Sequence, residues 1–233
     1  MRRAACICAV AAAVITLLPS PPALCQVGVG GHFTVALPKG EFDEKVENNG
    51  YGFTGQALFF MPSSPVAIGA SLGGLIYGSE SREEPFSMTI PDVTVDVETR
   101  NYILTGHAVL RLQPPSGLFR PYIDGVIGFH YLFTQTSIES QAENVASDTN
   151  WDDGVLSYGG GGGIMFEILA GGEKLRSKPF KVYADIGARY LKGGEAQYLK
   201  EGSIRREDGR VLYDVEESKT DLLAIYIGVS VIF

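Results

Sequence analysis

At the end of the chain Leu223, Ile225, Ile227, Val229, Val231 and Phe233 alternate with Leu222, Ala224, Tyr226, Gly228, Ser230 and Ile232. Successive side chains of a strand point to opposite faces, so this segment has one continuously apolar face and one small, mixed face. The stretch from Tyr122 behaves alike: Ile123, Gly125, Ile127, Phe129, Tyr131 and Phe133 fall opposite Tyr122, Asp124, Val126, Gly128, His130 and Leu132. Ionisable groups occupy one side only. The same period predicts eight strands near 26–37, 51–61, 66–79, 98–112, 118–134, 154–169, 179–192 and 219–233.

The connections alternate in length. Those at 62–65, 113–117 and 170–178 are short, whereas 38–50, 80–97, 135–153 and 193–218 are long and polar. An even number of strands, each at least the roughly 9 to 11 residues a tilted membrane strand needs, with short turns at one end and long loops at the other, predicts an all-β chain. Its expected fold is an eight-stranded antiparallel up-and-down transmembrane barrel. A soluble barrel of equal strand count would turn its apolar faces inward. Val93, Val95 and Val97 alternate with Asp92, Thr94 and Asp96, so the strand after the second long loop is expected to continue beyond the membrane, with edges open to another chain.

Residues opposite each other across a hairpin share a face. Pairing Met61 with Val66 places Tyr51, Phe53, Gly55, Ala57 and Phe59 with Ile68, Ala70 and Leu72 on the lipid side. Outward aromatics then form two belts: Tyr51, Tyr102, Tyr131, Phe133, Tyr158 and Tyr190 near the long loops, and Phe59, Phe119, Phe166, Phe180 and Phe233 near the short turns. From Phe180 to Tyr190 the chain climbs about 25 Å at the usual strand rise and barrel tilt, the height of the apolar band between such girdles.

Composition supports this picture. Glycine makes up 29 of 233 residues, about 12% where roughly 7% is usual, which argues against a helical bundle. Arg2 and Arg3, the apolar run Cys6 to Leu18, the break at Pro19 to Pro22 and the small residues Ala23 and Cys25 form a secretory leader. We expect residues 1–25 to be removed and 26–233 to form the barrel. Acylation of Cys25 is the competing reading, but it calls for a small residue where Leu24 stands. Without Arg2 and Arg3 the chain carries 17 basic and 27 acidic residues, net −10, and no cysteine, which disfavours nucleic acid as a partner and excludes disulfides and thiolate metal sites. No stretch after the leader approaches the roughly 18 apolar residues of a spanning helix.

Tyr226, Gly228, Val231 and Phe233 resemble the C-terminal assembly signal of bacterial outer-membrane proteins, and Arg120 to Phe129 (RPYIDGVIGF) resembles the fifth-strand segment of small barrels of the OmpA/OmpX/OmpW-like superfamily. The resemblance implies a bacterial outer-membrane location with loops extracellular and termini periplasmic, contact with outer-membrane lipid, and recognition by the barrel assembly machinery. It further implies a conduit for small, even hydrophobic, molecules. Display of acidic loops to extracellular ligands is the alternative, and lipid modification a third. No separate peptidoglycan-binding domain is expected after the last strand, a departure from full-length OmpA.

Inward positions hold Arg111, Arg120, Asp124, Glu167, Lys181, Asp185 and Arg189, with His32, His107 and His130. Charges of both signs predict a salt-bridged plug, because eight strands enclose a space that side chains fill. Symmetric turns would place Glu167 opposite Lys181 and His107 opposite Asp124. Among the histidines only His130 is expected near the outer rim, with Thr134 and Thr136 inward beside it and no adjacent serine, so catalysis is not expected. The loops at 80–99 and 135–153 carry six and five acidic residues, but no calcium-loop spacing. The run Gly159 to Gly163 lacks the Lys and Ser/Thr of a phosphate loop. No cofactor or metal site is expected.

Overall fold

The computed structural model describes residues 26–46, 48–87, 90–140, 143–171, 180–207 and 210–233. The leader, including Cys25, and most of the turn at 170–178 lie outside the described residues. Ten strands and one helix follow in order: β1 (Gln26–Pro38), α1 (Glu41–Lys45), β2 (Gly50–Phe60), β3 (Val66–Ser87), β4 (Ile90–Leu112), β5 (Phe119–Ser140), β6 (Glu143–Gly171), β7 (Phe180–Gly193), β8 (Glu195–Glu207), β9 (Arg210–Lys219) and β10 (Leu222–Ile232). Eight of them close into an antiparallel barrel in the order β1-β10-β7-β6-β5-β4-β3-β2, and β8 pairs with β9 separately.

Parity follows the period-two reading. On β5, Ile127 is 65% exposed while its neighbour Val126 is 6% exposed and belongs to the interior cluster. Ile225 and Ile227 are exposed, whereas Tyr226 is buried. Adjacent strands bring the outward aromatics together as the two belts require: Tyr102 stacks on Phe133 with centroids 4.9 Å apart, and Phe119 meets Phe166 edge-on at 5.2 Å. The Met61–Val66 turn closes as expected, the Met61 amide donating to the Val66 carbonyl at 3.0 Å.

Two pairings differ from the symmetric count. Arg111, not His107, lies opposite Asp124, and His107 lies opposite Gly128. Glu167 faces Tyr183 because the ladder closes with Gly171 opposite Phe180 and a bulge between Glu167 and Leu169 shifts it by one residue, yet the Lys181 ammonium still reaches Glu167 at 2.7 Å. The bulge shifts the register and spares the ion pair.

The long connections are more ordered than their polarity suggested. Residues 38–50 include α1. The 80–97 and 135–153 segments continue β3–β4 and β5–β6 as antiparallel ladders, with register shifts at Ile76/Gly78 and Thr134/Gln135. Strand β4 also pairs β5 from Asp96 inward, so β3 to β6 rise together as one sheet above the rim where the other four strands stop. The 193–218 segment is the β8–β9 hairpin. It leaves the ring between β7 and β10, and β8 packs against the neighbouring β6 and on across to β5, β4 and β3, so it lies across the mouth.

Candidate functional site

The middle of the barrel is filled by paired charges. Asp124 of β5 accepts from Arg111 of β4 through Nε at 2.7 Å and Nη2 at 2.8 Å, the two-pronged geometry that guanidinium and carboxylate planes favour. Arg189 of β7 reaches the same carboxylate from the other side, with Nη2 at 2.6 Å and Nε at 3.1 Å. The Gln56 carbonyl oxygen accepts from both arginines at 3.3 Å, and its amide nitrogen donates to Asp185 at 3.3 Å. Asp185 also accepts from His32 at 3.0 Å, Tyr122 at 2.7 Å and Ser230 at 3.0 Å. The network joins two arginines to two aspartates. Arg111 and Asp124 side chains are wholly removed from solvent, a state that tolerates charge only when every lone pair and donor is matched.

Aromatic faces complete the seal. The Arg111 guanidinium lies 3.6 Å from the Tyr122 ring centroid and that of Arg189 lies 5.1 Å from Tyr226. The hydroxyls of these tyrosines are 3.1 Å apart. A methyl group on Gly187 would stand 2.6 Å from the Tyr122 hydroxyl and 2.7 Å from that of Tyr226, so this glycine makes room for the pair.

Towards the short turns, Arg120 donates to the Pro114 carbonyl at 2.8 Å and to the Gln113 side-chain oxygen, and lies between Phe60 and Tyr183. Glu167 and Lys181 sit at the wetter end of the tube. Arg111, Asp124, Asp185 and Arg189 are thus gathered into one network, while Arg120 and the Glu167–Lys181 pair stand apart from it. Gln56, Tyr122 and Ser230 are members that charge alone did not reveal. Their inward parity was the available signal.

Above the network lies a cavity of ≈ 30 Å³, bordered by His32, Ser71, Thr105, His107 and Arg189 among others. That volume accommodates about two waters. Below it a second space, bordered by Gln56, Arg111 and Met165, measures ≈ 10 Å³.

The histidines form a second polar group. Ser157 of β6, fully buried, stands between His130 Nε2 at 2.9 Å and His107 Nε2 at 3.2 Å. His130 Nδ1 lies 3.4 Å from Thr220 Oγ1, which donates to the Gly194 carbonyl at 3.4 Å. Sequence spacing could not reveal this serine, which pairing across β4, β5 and β6 delivers. Serine beside histidine is the beginning of a nucleophilic site, but no carboxylate among the described residues contacts either ring to orient it.

The mouth is covered by an aromatic cluster. Phe42 of α1 is fully buried against Tyr198 of β8 and Tyr77 of β3, with centroids 5.1 and 5.9 Å away. The Tyr77 hydroxyl donates to the Leu199 carbonyl at 3.0 Å. Ion pairs brace the rim: Glu216 with Lys45 and Lys200 at 2.5 and 2.8 Å, and Glu41 with Lys219 at 3.2 Å. Lys200 and Lys45 hold the Glu216 carboxyl below the usual carboxylate range, and Lys219 does the same for Glu41.

No family model matches the chain, and no curated protein matches it. Solved structures similar to it include Neisserial surface protein A, at 9% identity over 89% of this chain and 95% of that one, with a TM-score of 0.37. The attachment invasion locus protein Ail of Yersinia pestis, in complex with the heparin analogue sucrose octasulfate, shows 14% identity over 90% and 97% with a TM-score of 0.38. A major outer membrane protein of Thermus thermophilus shows 10% identity over 90% and 99% with a TM-score of 0.44. At such identities the likeness concerns fold alone. Closed ring, apolar exterior and paired interior charges are the inverted polarity of a membrane-embedded barrel, and the chain is an eight-stranded β-barrel of the outer-membrane type.

Proposed function

We propose that this protein is an outer-membrane surface protein whose barrel is an anchor and whose working part is the sheet formed by the outer halves of β3 to β6, held towards the cell exterior for contact with another macromolecule. One observation carries this reading: a charge-matched network of buried side chains fills the middle of the lumen, while four strands are built well past the ring. Residues 77–87 of β3 alone add about 35 Å of strand. Beyond Ile76 the β3 ladder has β4 on one side and no strand on the other among the described residues. An edge of unpaired amides and carbonyls is a template for an added strand.

The C-terminal residues Tyr226, Gly228, Val231 and Phe233 fit a role as the assembly signal, and the leader at 1–25 fits export with both ends of the barrel on the periplasmic side. Conduction of small solutes is the second reading, favoured by the polar cavity above the network. It requires the bonds of Asp124 and Asp185 to part. Refolded protein in planar bilayers, with solute uptake into proteoliposomes, separates the two. We expect neither steady conductance nor uptake, together with binding of partner cells or matrix that is lost when residues 79–98 are shortened. Stable conductance with unchanged binding would reverse the assignment.

A further inference from the structure

The four groups running from His107 to Thr220 form a directional chain that ends at the hinge of the mouth-covering hairpin. With both imidazoles neutral the donors run one way: His107 Nε2–H to Ser157 Oγ, the Ser157 hydroxyl to His130 Nε2, His130 Nδ1–H to Thr220 Oγ1, and the Thr220 hydroxyl to the Gly194 carbonyl. Gly194 precedes β8 and Thr220 follows β9, and the Thr220 amide also donates to the Gly194 carbonyl at 3.2 Å. These two residues are the gatepost of the hairpin.

We infer that the His107–Ser157–His130 group is a proton-binding site that governs closure of the β8–β9 hairpin over the barrel mouth. His130 is fully buried, and both of its nitrogens are engaged. A proton added at Nε2 turns Ser157 from donor to acceptor on that side and forces it to donate to His107 instead. This His107 can accept only by moving its own proton to Nδ1. With Nδ1 already protonated, this added proton makes His130 a buried cation with no anion in contact, which water entering beneath the hairpin would relieve.

The surroundings offer no other neutraliser. From β7 comes Arg189, already matched by Asp124 of β5. From β1 comes His32, tied to Asp185 of β7. From β10 comes Tyr226, and from β4 Arg111, bonded to Asp124. At the hinge, Asp221 accepts from the Gly193 amide and the Tyr190 hydroxyl, Lys219 pairs with Glu41, and Glu195 opens β8. None of these carboxylates bonds to either imidazole among the described residues.

Trp151, the single tryptophan, reports the state of the hairpin because its Nε1–H donates to the Gln197 carbonyl of β8 at 3.2 Å. The experiment is an acid titration of the full barrel in phospholipid nanodiscs from about pH 7.5 to about pH 4, following Trp151 emission, its quenching by iodide, and amide exchange of β8 corrected for intrinsic rates. We expect a red shift with increased quenching, accompanied by loss of exchange protection in β8 but not in β10. His107→Gln with His130→Gln should abolish that transition, whereas Glu41→Gln with Glu216→Gln should retain it. Should the histidine variant fail to fold, imidazole resonances of the unaltered protein must titrate together with Trp151. A hairpin that stays protected throughout, a transition unchanged in the histidine variant, or imidazoles that titrate apart from Trp151 would each overturn the inference.

Discussion

Arg111 and Asp124 face each other across β4 and β5 and share two hydrogen bonds of 2.7 and 2.8 Å, with neither side chain reaching solvent. Because Asp124 also serves Arg189, removing it strands two guanidinium groups. Asp124→Ala should cost about 3 to 5 kcal/mol, and Arg111→Met together with Asp124→Leu should recover only part of that loss, because Arg189 stays without its carboxylate. Urea unfolding followed by the heat-modifiable gel shift of the folded barrel measures both.

Gly187 lies where a methyl group would crowd the hydroxyls of Tyr122 and Tyr226. Gly187→Ala should push Tyr122 off Asp185 and destabilise the barrel by about 1 to 3 kcal/mol. Gly31, with open space at the same position, should accept alanine at little cost in the same unfolding assay.

Phe42 fills the junction between α1, β3 and β8. Phe42→Ala should weaken docking of the hairpin by about 3 to 5 kcal/mol without unfolding the ring. Amide exchange would then rise in β8 and β9 and remain slow in β5 and β10.

The rim ion pairs give a second pH dependence with a defined sign. Glu216 and Glu41 have lowered pKa values through their lysines, so the stabilisation they lend is present above the ordinary glutamate value and is lost as pH falls through the lowered one. Glu41 raises the pKa of Lys219, and that contribution persists below the ordinary lysine value and disappears as pH rises through the raised one. Exposed pairs of this kind contribute little and are screened by salt. Trp151 quenching should therefore respond weakly at both extremes, and the response should vanish in high salt.

The ring was legible because one face of each strand must meet hydrocarbon, which writes a strict alternation into segments such as Tyr122 to Phe133. The pairing partners were not, since register depends on bulges such as that at Glu167/Leu169, which no local pattern announces. The inward charges could be chosen by parity, but their grouping needed the register: Arg111 opposite Asp124, and Ser157 between two histidines from different strands. The β8–β9 hairpin hid within a polar segment because its buried apolar residues, Ala196, Tyr198, Leu199 and Ile204, are few, and Tyr198 packs on Phe42 of α1 and Tyr77 of β3.

The orientation of the strand faces is the claim on which the rest depends. Nitroxide labels on single cysteines introduced along β5 from Tyr122 to Phe133, in a chain starting at Gln26, report accessibility to oxygen dissolved in the acyl chains. Oxygen accessibility should peak at Ile123, Gly125, Ile127 and Phe129 and fall at Asp124, Val126 and Gly128; the opposite phase, or no alternation, would contradict an apolar exterior around a charged interior.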